Sequence, residues 1–404
     1  MARFKYSGRD KRGKRQGTIN SSSRREALLK LKEEGIRVSD ITEIPESILT
    51  KDITFGNPVK LEHFVIYLRQ FSTLLKAGVT VVDATAILAE QTESKALKKA
   101  SIGIEQDLRE GNPLSDAVRR HKKIFSPIFV SMIKAGEAGG NMDETLERLA
   151  GHFEKQHHTR QKIISALTYP LVIGFIAIAV VIFLLVSIVP TFVKMFADMG
   201  GELPAITKFV LNASGFMQKF WWLLALLMVL FSVLIVYMRK SKETKFYLDY
   251  AALRIPIFGK MLQKAVLARM TRTLSSLFSS SVPILQAMAI VEEVVENEVI
   301  ARVIRDSRDS LEKGLSMTLP MKRHWAFPPL VTQMISIGEE SGALDSMLDK
   351  IADFYEKEVD IGTDRLKSLI EPIMIVVLAG LVGLIVTSIM VPMFDMFNQF
   401  DKKY

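Results

Sequence analysis

The 404-residue chain contains no cysteine. Disulfides and thiolate metal sites are excluded, and nothing points to an oxidising compartment. Histidines number only six, and three of them, His152, His157 and His158, lie together on one polar approach segment. A similar segment further on has Asp353 or Phe354, Val359 and Asp360 in their places, so a duplicated metal site is not expected. The opening residues, MARFKYSGRDKRGKRQG, contain no apolar run, so no cleavable signal peptide is expected. Gly8 to Arg15 approaches a phosphate-binding loop, but Arg15 stands where such a loop needs Ser or Thr to hold magnesium. An apolar strand feeding the loop is missing too, so the segment reads as a basic β-turn with no nucleotide cofactor.

Charge is absent where it would matter most for intramembrane chemistry. Ile163 to Val193 carries no charged residue, and Ile370 to Phe394 carries one, Glu371, at its entrance. About 20 apolar residues cross a bilayer core, so both stretches are long enough to span it. A third stretch, Phe220 to Met238, has Trp221 and Trp222 at one end and Tyr237 near the other, as an interfacial belt would. The only polar groups at depth are hydroxyls, Ser187, Ser232, Thr387 and Ser388. A proton relay, an aspartyl pair or a Ser-His pairing is therefore excluded, and no catalytic residue is assigned. With 49% hydrophobic residues and a mean hydropathy of +0.21, the chain is a few spans carrying sizeable water-soluble parts.

The chain is duplicated. Pro170 pairs with Pro372 and Pro190 with Pro392 at one common spacing. Arg69, Leu74 and Gly78-Val79 align with Arg272, Leu277 and Ser281-Val282, and Gly111 aligns with Gly314. Phe125-Ser-Pro127 aligns with Phe327-Pro-Pro329, and Phe153-Glu-Lys155 with Tyr355-Glu-Lys357. The block Gly136-Glu137-Ala-Gly-Gly140 aligns with Gly338-Glu339-Glu-Ser-Gly342. Such self-similarity means one folding unit used twice.

The patterning places a small basic α+β module at 1–55. Phe4 and Tyr6, then Gly17 to Ile19, read as strands about a turn at Gly13, and Arg37 to Ile44 reads as a further strand. Ser23 with Glu26 opens a helix, Arg24 to Glu34. Thr50 to Pro58 reads as a linker. From Lys60, apolar residues recur at three and four (Phe64, Leu68, Phe71, Leu74), and about six helices follow before the first span. Asn141 with Glu144 reads as a capping-box variant at the start of the last of them. Where Gly78 stops a helix, the second copy has Ser281, and Pro283 is expected to make that break instead.

The expected architecture is an all-α integral membrane protein with two homologous six-helix bundles, three transmembrane helices and the small N-terminal module. The first bundle covers 56–168 with a span at 169–193, and a short loop at 194–219 leads to a span at 220–238. The second bundle covers 239–369, with a span at 370–394 and a tail at 395–404. Net charge is +9. Arg160, Lys162 and the Arg239, Lys240, Lys242, Lys245 cluster flank the spans on the bundle side. By the positive-inside rule the N-terminus and both bundles are cytoplasmic, and the loop and tail are extracytoplasmic.

Gly136, Glu137 and Gly140, with Gly338, Glu339 and Gly342, form a repeated turn motif. Its carboxylates can serve a helix start, an interface or a cation. Arg12, Lys14 and Arg15 form a basic patch for docking a partner. They lack the aromatic interleaving of a nucleic-acid reader, so no direct nucleic-acid contact is expected. Ala379 and Gly383 lie on a small-residue face suited to helix packing in a membrane.

In combination these motifs resemble the GspF/PilC family, the inner-membrane platform proteins of type II secretion and type IV pilus assembly. The resemblance rests on the two Phe125–Gly140 and Phe327–Gly342 blocks, on Tyr169-Pro170 and Glu371-Pro372, and on Val189-Pro190 and Val391-Pro392. It also rests on the N-terminal pattern of Phe4, Tyr6, Gly8, Asp10 and Gly13. It implies a non-enzymatic, homo-oligomeric protein of the cytoplasmic membrane. The implied partners are a hexameric cytoplasmic assembly ATPase, pilin or pseudopilin, and other inner-membrane assembly proteins. The alternative is a membrane subunit of an ATPase-driven transporter, which would need a polar path that three apolar spans do not offer.

Overall fold

A computed structural model describes residues 2–10, 13–21, 28, 31–32, 36–44, 58–198 and 204–401. It divides into two units, Met1–Pro58 and Val59–Tyr404.

In the first unit, β1 (Ala2–Asp10), β2 (Gly13–Ser21) and β3 (Arg37–Ile44) form an antiparallel sheet in the order β2-β1-β3. Tyr6 lies opposite Gly17. A Cβ on Gly17 would stand 2.9 Å from the Tyr6 hydroxyl, so glycine there makes room for the ring. Tyr6, Leu31, Ile36 and Ile41 form the small core. Gly8 to Asp10 and Gly13 to Arg15 are the facing ends of β1 and β2, with Asp10 opposite Gly13. Arg12, the Ser23–Glu26 capping box, most of the helix expected over 24–34 and the linker up to 57 lie outside the described residues.

In the second unit the first repeat comprises α1 (Leu61–Lys76), α2 (Val81–Gln91), α3 (Lys95–Arg109), α4 (Leu114–Arg119), α5 (Pro127–Gly139) and α6 (Met142–Phe183). A π-helical turn, Leu184–Ile188, leads into α7 (Val189–Asp198), followed by α8 (Ala205–Met238) and α9 (Lys242–Arg254). The second repeat comprises α10 (Phe258–Ser279), α11 (Ile284–Val294), α12 (Glu298–Glu312), α13 (Thr318–Arg323), α14 (Pro329–Ser341) and α15 (Leu344–Asp401). The helical period seen in the sequence becomes burial. Phe64, Tyr67, Leu68 and Phe71 point inward from α1, and Phe64 meets Phe125, Phe129 and Phe153 edge-on. One continuous apolar cluster joins the cores of both repeats.

The helix stops repeat too. Gly78, Gly111 and Gly140 take left-handed φ of 84°, 86° and 70°, and Gly314 and Gly342 take 74° and 70°. Ser281 does the same at φ 58°. The Val79 and Val282 amides both donate back over the stop, to Leu74 and Leu277 carbonyls at 3.0 Å. The expectation that Pro283 replaces the glycine is corrected: serine adopts the glycine conformation, because the capping geometry is fixed by packing on either side. Ser281→Gly is therefore expected to stabilise the protein by roughly 0.5–1 kcal/mol, relief of left-handed strain outweighing the added freedom of the unfolded chain. Thermal melting of purified wild type and variant checks this, and a lower midpoint for the variant would refute it. The capping box at Asn141 is also corrected. Its side chain makes no cap bond and turns to Glu144, 3.5 Å away, which pairs with Arg148 at 2.6 Å.

Among the described residues, two helices are long and apolar enough to cross a membrane, within Met142–Phe192 and Leu344–Val391. The third expected span qualifies only if Ala205–Leu223 and Ala225–Met238, which meet at 44°, are counted as one. The stretch read as a loop, 194–219, is helical over 194–198 and 205–219. The tail from 395 continues α15 to Asp401, and 402–404 lie outside the described residues.

The misread stretch has a structural use. Pro392 has no N–H to give the Ser388 carbonyl, and the Thr207 hydroxyl of α8 donates to that oxygen at 2.7 Å. In the π-helical turn the Leu185 carbonyl faces Pro190 five residues on, and the Ser214 hydroxyl of α8 donates to it at 2.5 Å. The matched prolines thus each free a carbonyl that α8 satisfies. Leu185, Val189, Val210 and Ile385 pack together at the same depth.

Candidate functional site

The repeated turn motif is built from inside. Gly136 is buried on α5, where a Cβ would lie 2.5 Å from the Thr145 hydroxyl and 2.9 Å from its Cβ on α6. On Gly338, a Cβ would lie 2.9 Å from the Leu344 Cα. The first glycine of each motif therefore lets two helices cross closely. The last, Gly140 or Gly342, is exposed and left-handed, and it turns the chain into the long helix. Between them, the Glu137 carboxylate accepts the Ser115 amide at 3.2 Å and 3.3 Å, at the first turn of α4. Glu339 does the same for the Met317 amide at 3.0 Å and the Ser316 hydroxyl at 2.7 Å, beside α13. Each carboxylate thus holds the start of a neighbouring short helix, where amides are otherwise orphaned.

A second repeated feature carries more charge. Arg69 on α1 forks to Glu147 at 2.8 Å and Glu154 at 2.7 Å, two carboxylates one heptad apart on α6. At the equivalent place Arg272 on α10 holds Asp349, Asp353 and Glu356 on α15, the last at 2.7 Å. Each clamp fastens a packed helix to the charged half of a helix whose other half is apolar. Hydrogen bonds from Arg69 and then Ser72 hold the Glu147 carboxyl down to about 2. Burial works against the Arg272 charge, but its bond to Glu356 and the other carboxylates keep its pKa above the ordinary value. Sequence reasoning aligned the two arginines but missed their partners. The signal was present: acidic residues recur at matching positions on an otherwise apolar-facing heptad.

The repeats also hold each other. Lys155 reaches Asp353 at 3.0 Å, and Lys162 reaches Asp360 at 2.5 Å. His152 Nδ1 lies 3.1 Å from the Ser276 hydroxyl, which itself donates to the Arg272 carbonyl at 2.8 Å. Ser276 has one hydrogen and has spent it, so the imidazole donates from Nδ1. Burial, with Arg272, Arg269 and Lys155 nearby, pushes His152 down to about 4. In the unfolded chain it titrates near 6.5. The contact therefore contributes fully above pH 6.5. It weakens as pH falls towards 4, because the unfolded chain takes up a proton that the folded one refuses. By pH 5 the loss is expected to be on the order of 2 kcal/mol. Melting curves at pH 7 and pH 5 should show this drop, and His152→Gln should reduce it; an equal drop in both proteins would refute the assignment.

Lys14 and Arg15 lie on β2, opposite Arg9 and Gly8 of β1. Ala379 and Gly383 lie exposed on α15, with nothing within 4 Å of a Cβ on Gly383. Tyr169 and Glu371, the paired residues at the two apolar entrances, line one small cleft with Pro170, Ile173 and Met374.

One helical unit, used twice, with each copy ending in a helix of membrane-crossing length, defines an internally duplicated, membrane-length helical scaffold. The chain belongs to the type II secretion system protein F family. The family model described as "Type II secretion system (T2SS), protein F" matches residues 67–190 and again 270–392, and that of the family's N-terminal domain matches residues 1–42. The chain is 36% identical to the type IV pilus assembly protein PilC of Thermus thermophilus, over 98% of each chain. It is 35% identical to PilC of Myxococcus xanthus, over 98% of this chain and 95% of the relative. To type II secretion system protein F of Aeromonas hydrophila it is 32% identical, over 93% and 98%.

Proposed function

We propose that this chain is a non-enzymatic inner-membrane platform protein of a type IV pilus or type II secretion machine. In this reading it couples a hexameric cytoplasmic assembly ATPase to the polymerisation of pilin or pseudopilin. The N-terminus and two six-helix bundles face the cytoplasm, three spans cross the membrane with α8 as the bent third, and the protein is homo-oligomeric. The observation that carries this is the continuity of α6 and α15. Each runs without a break from a charged, ion-paired half into an apolar half, so motion imposed on the packed helices reaches the membrane along a stiff element. The names of the relatives, pilus assembly and secretion proteins alike, support the same reading.

The test is co-purification from native membranes in mild detergent, with partners identified by mass spectrometry. A hexameric ATPase together with proteins bearing a prepilin-type N-terminal helix is the expected outcome. Recovery of a solute-binding protein or a second polytopic permease instead would replace the platform reading with that of a transporter subunit.

A further inference from the structure

The contact between the two repeats is one-sided. α6 of the first repeat lies against α10 and α15 of the second, and α5 touches α10 and α11. His152, Lys155 and Lys162 on α6 meet Ser276, Asp353, Glu356 and Asp360. Among the described residues, α15 makes no comparable contact with α1. On α15 the positions matching this α6 face are Phe354, Lys357, Ile361 and Asp364, and all four are exposed. Phe354 is 44% and Ile361 46% exposed, large apolar side chains on a charged helix. The receiving face is also left open in the first repeat. On α1, Gln70 and Thr73 are exposed, and so is Ile66 at 51%, whereas Thr273, the counterpart of Gln70, is fully buried.

A heterologous contact used once leaves one face of each kind unused, and such faces join copies head to tail. We propose that the α15 face of one molecule docks on the α1–α6 face of a second copy of this chain, repeating between chains the contact made within each. Of the two carboxylates that Lys155 reaches, Asp353 has Gly151 as its counterpart and Glu356 has Glu154, so Lys357 takes the place of Lys155 and meets Glu154 alone. Asp364 takes the place of Lys162, and His158 that of Asp360, so a carboxylate acceptor faces an imidazole N–H and the polar pair is kept with donor and acceptor exchanged. Phe354 takes the place of His152 over Thr73, the counterpart of Ser276. The successive pairs 155 with 353, 162 with 360, and 174 beside 374 show that α6 and α15 run parallel. Repeating the contact therefore keeps every long helix pointing the same way, and the assembly grows as a ring or arc in the membrane plane. This names the interface for the homo-oligomer of the proposed function and rests on that part of it.

The chain has no cysteine, so engineered thiols report alone. Two differently tagged copies, one Thr73→Cys and the other Phe354→Cys, are co-expressed and oxidised in native membranes. The expected result is a mixed disulfide between the tags that exceeds either homodisulfide. Asp364→Lys in the Phe354→Cys copy replaces the acceptor facing His158 with a donor and should reduce it about threefold, the size of one exposed hydrogen bond. His158→Asp in the other copy should restore it, because that pair reproduces Lys162 with Asp360. Dominant homodisulfides would mean a two-fold dimer and overturn the proposal. Absence of the mixed product overturns it as well, whatever mass the detergent-solubilised protein shows. Co-purification of the ATPase and pilins is a separate readout, so the platform reading can stand when this interface fails.

Discussion

Replacing Arg272 with alanine is expected to destabilise the protein by about 2 kcal/mol, at least twice the cost of the same change at Arg69. The two arginines occupy equivalent places, but their surroundings differ. The Arg272 side chain is 10% exposed and that of Arg69 is 41% exposed. Removing Arg272 leaves Asp349, Asp353 and Glu356 facing each other on two turns of α15, with only Lys155 left near two of them. Asp349 and Asp353 are themselves half exposed, so the cost lies in the lost packing of the buried Arg272 stem and in its bond to Glu356, which is 21% exposed. Around Arg69 water screens Glu147 and Glu154, so Arg69→Ala should cost about 1 kcal/mol or less. Arg272→Lys keeps the charge but loses the planar fork and should fall between the two. Denaturation midpoints of the three variants give the order directly. The Arg272→Ala deficit should also shrink in acid: against its burial, bonds from Lys155 and Arg272 hold the Asp353 carboxyl below the ordinary range, and the Arg272 share is lost once that group is protonated. Equal losses at Arg69 and Arg272 would show that burial does not set the strength of the clamp.

The sequence revealed the duplication, the strands of the N-terminal unit and most of the helices, because these depend on local pattern. Phe64, Leu68 and Phe71 recur at helical spacing, and the structure buries all three. What it hid depends on distant partners. Glu137 stands near a helix start in sequence, yet the amide it accepts is that of Ser115, on a different helix. Nothing in the spacing of one motif reveals which orphan amide lies across the fold. The stretch 194–219 misled for a different reason. Its charges (Lys194, Asp198, Glu202, Lys208, Lys219) lowered the local hydropathy and read as a loop, although Thr207 and Ser214 were already placed to meet the carbonyls that Pro392 and Pro190 leave free. Ser281 hid its role because serine rarely takes a left-handed backbone, so residue type argued against the conformation that the neighbouring helices impose.

Interrupting the two long helices at matching positions, between their ion-paired and apolar parts, is expected to abolish filament assembly while leaving the packed helices folded. α6 is helical over 42 residues, through the Lys162–Ile163 boundary and Pro170, which at 1.5 Å per residue is about 63 Å of rod. α15 is helical over 58 residues, through Asp364 and Pro372. A Gly-Pro-Gly insertion after Lys162 and after Asp364 removes amide donors and frees the backbone at both boundaries. Torque or tilt applied to the packed helices would then be absorbed at the break. The clamps at Arg69 and Arg272 lie on the near side of both insertions, so the melting midpoint should change little. Four alanines inserted at the same two places make the control. They keep the helices continuous, lengthen each by about 6 Å and turn the far half by about 40° beyond a full turn. Assembly should fall to background with Gly-Pro-Gly and survive in large part with the alanines, scored by surface filaments or secreted substrate at matched protein levels. Normal assembly by the Gly-Pro-Gly variant would show that the membrane helices act as anchors only. Equal loss in both variants would show that the spacing of the packed helices from the membrane, and not stiffness, is what the machine requires.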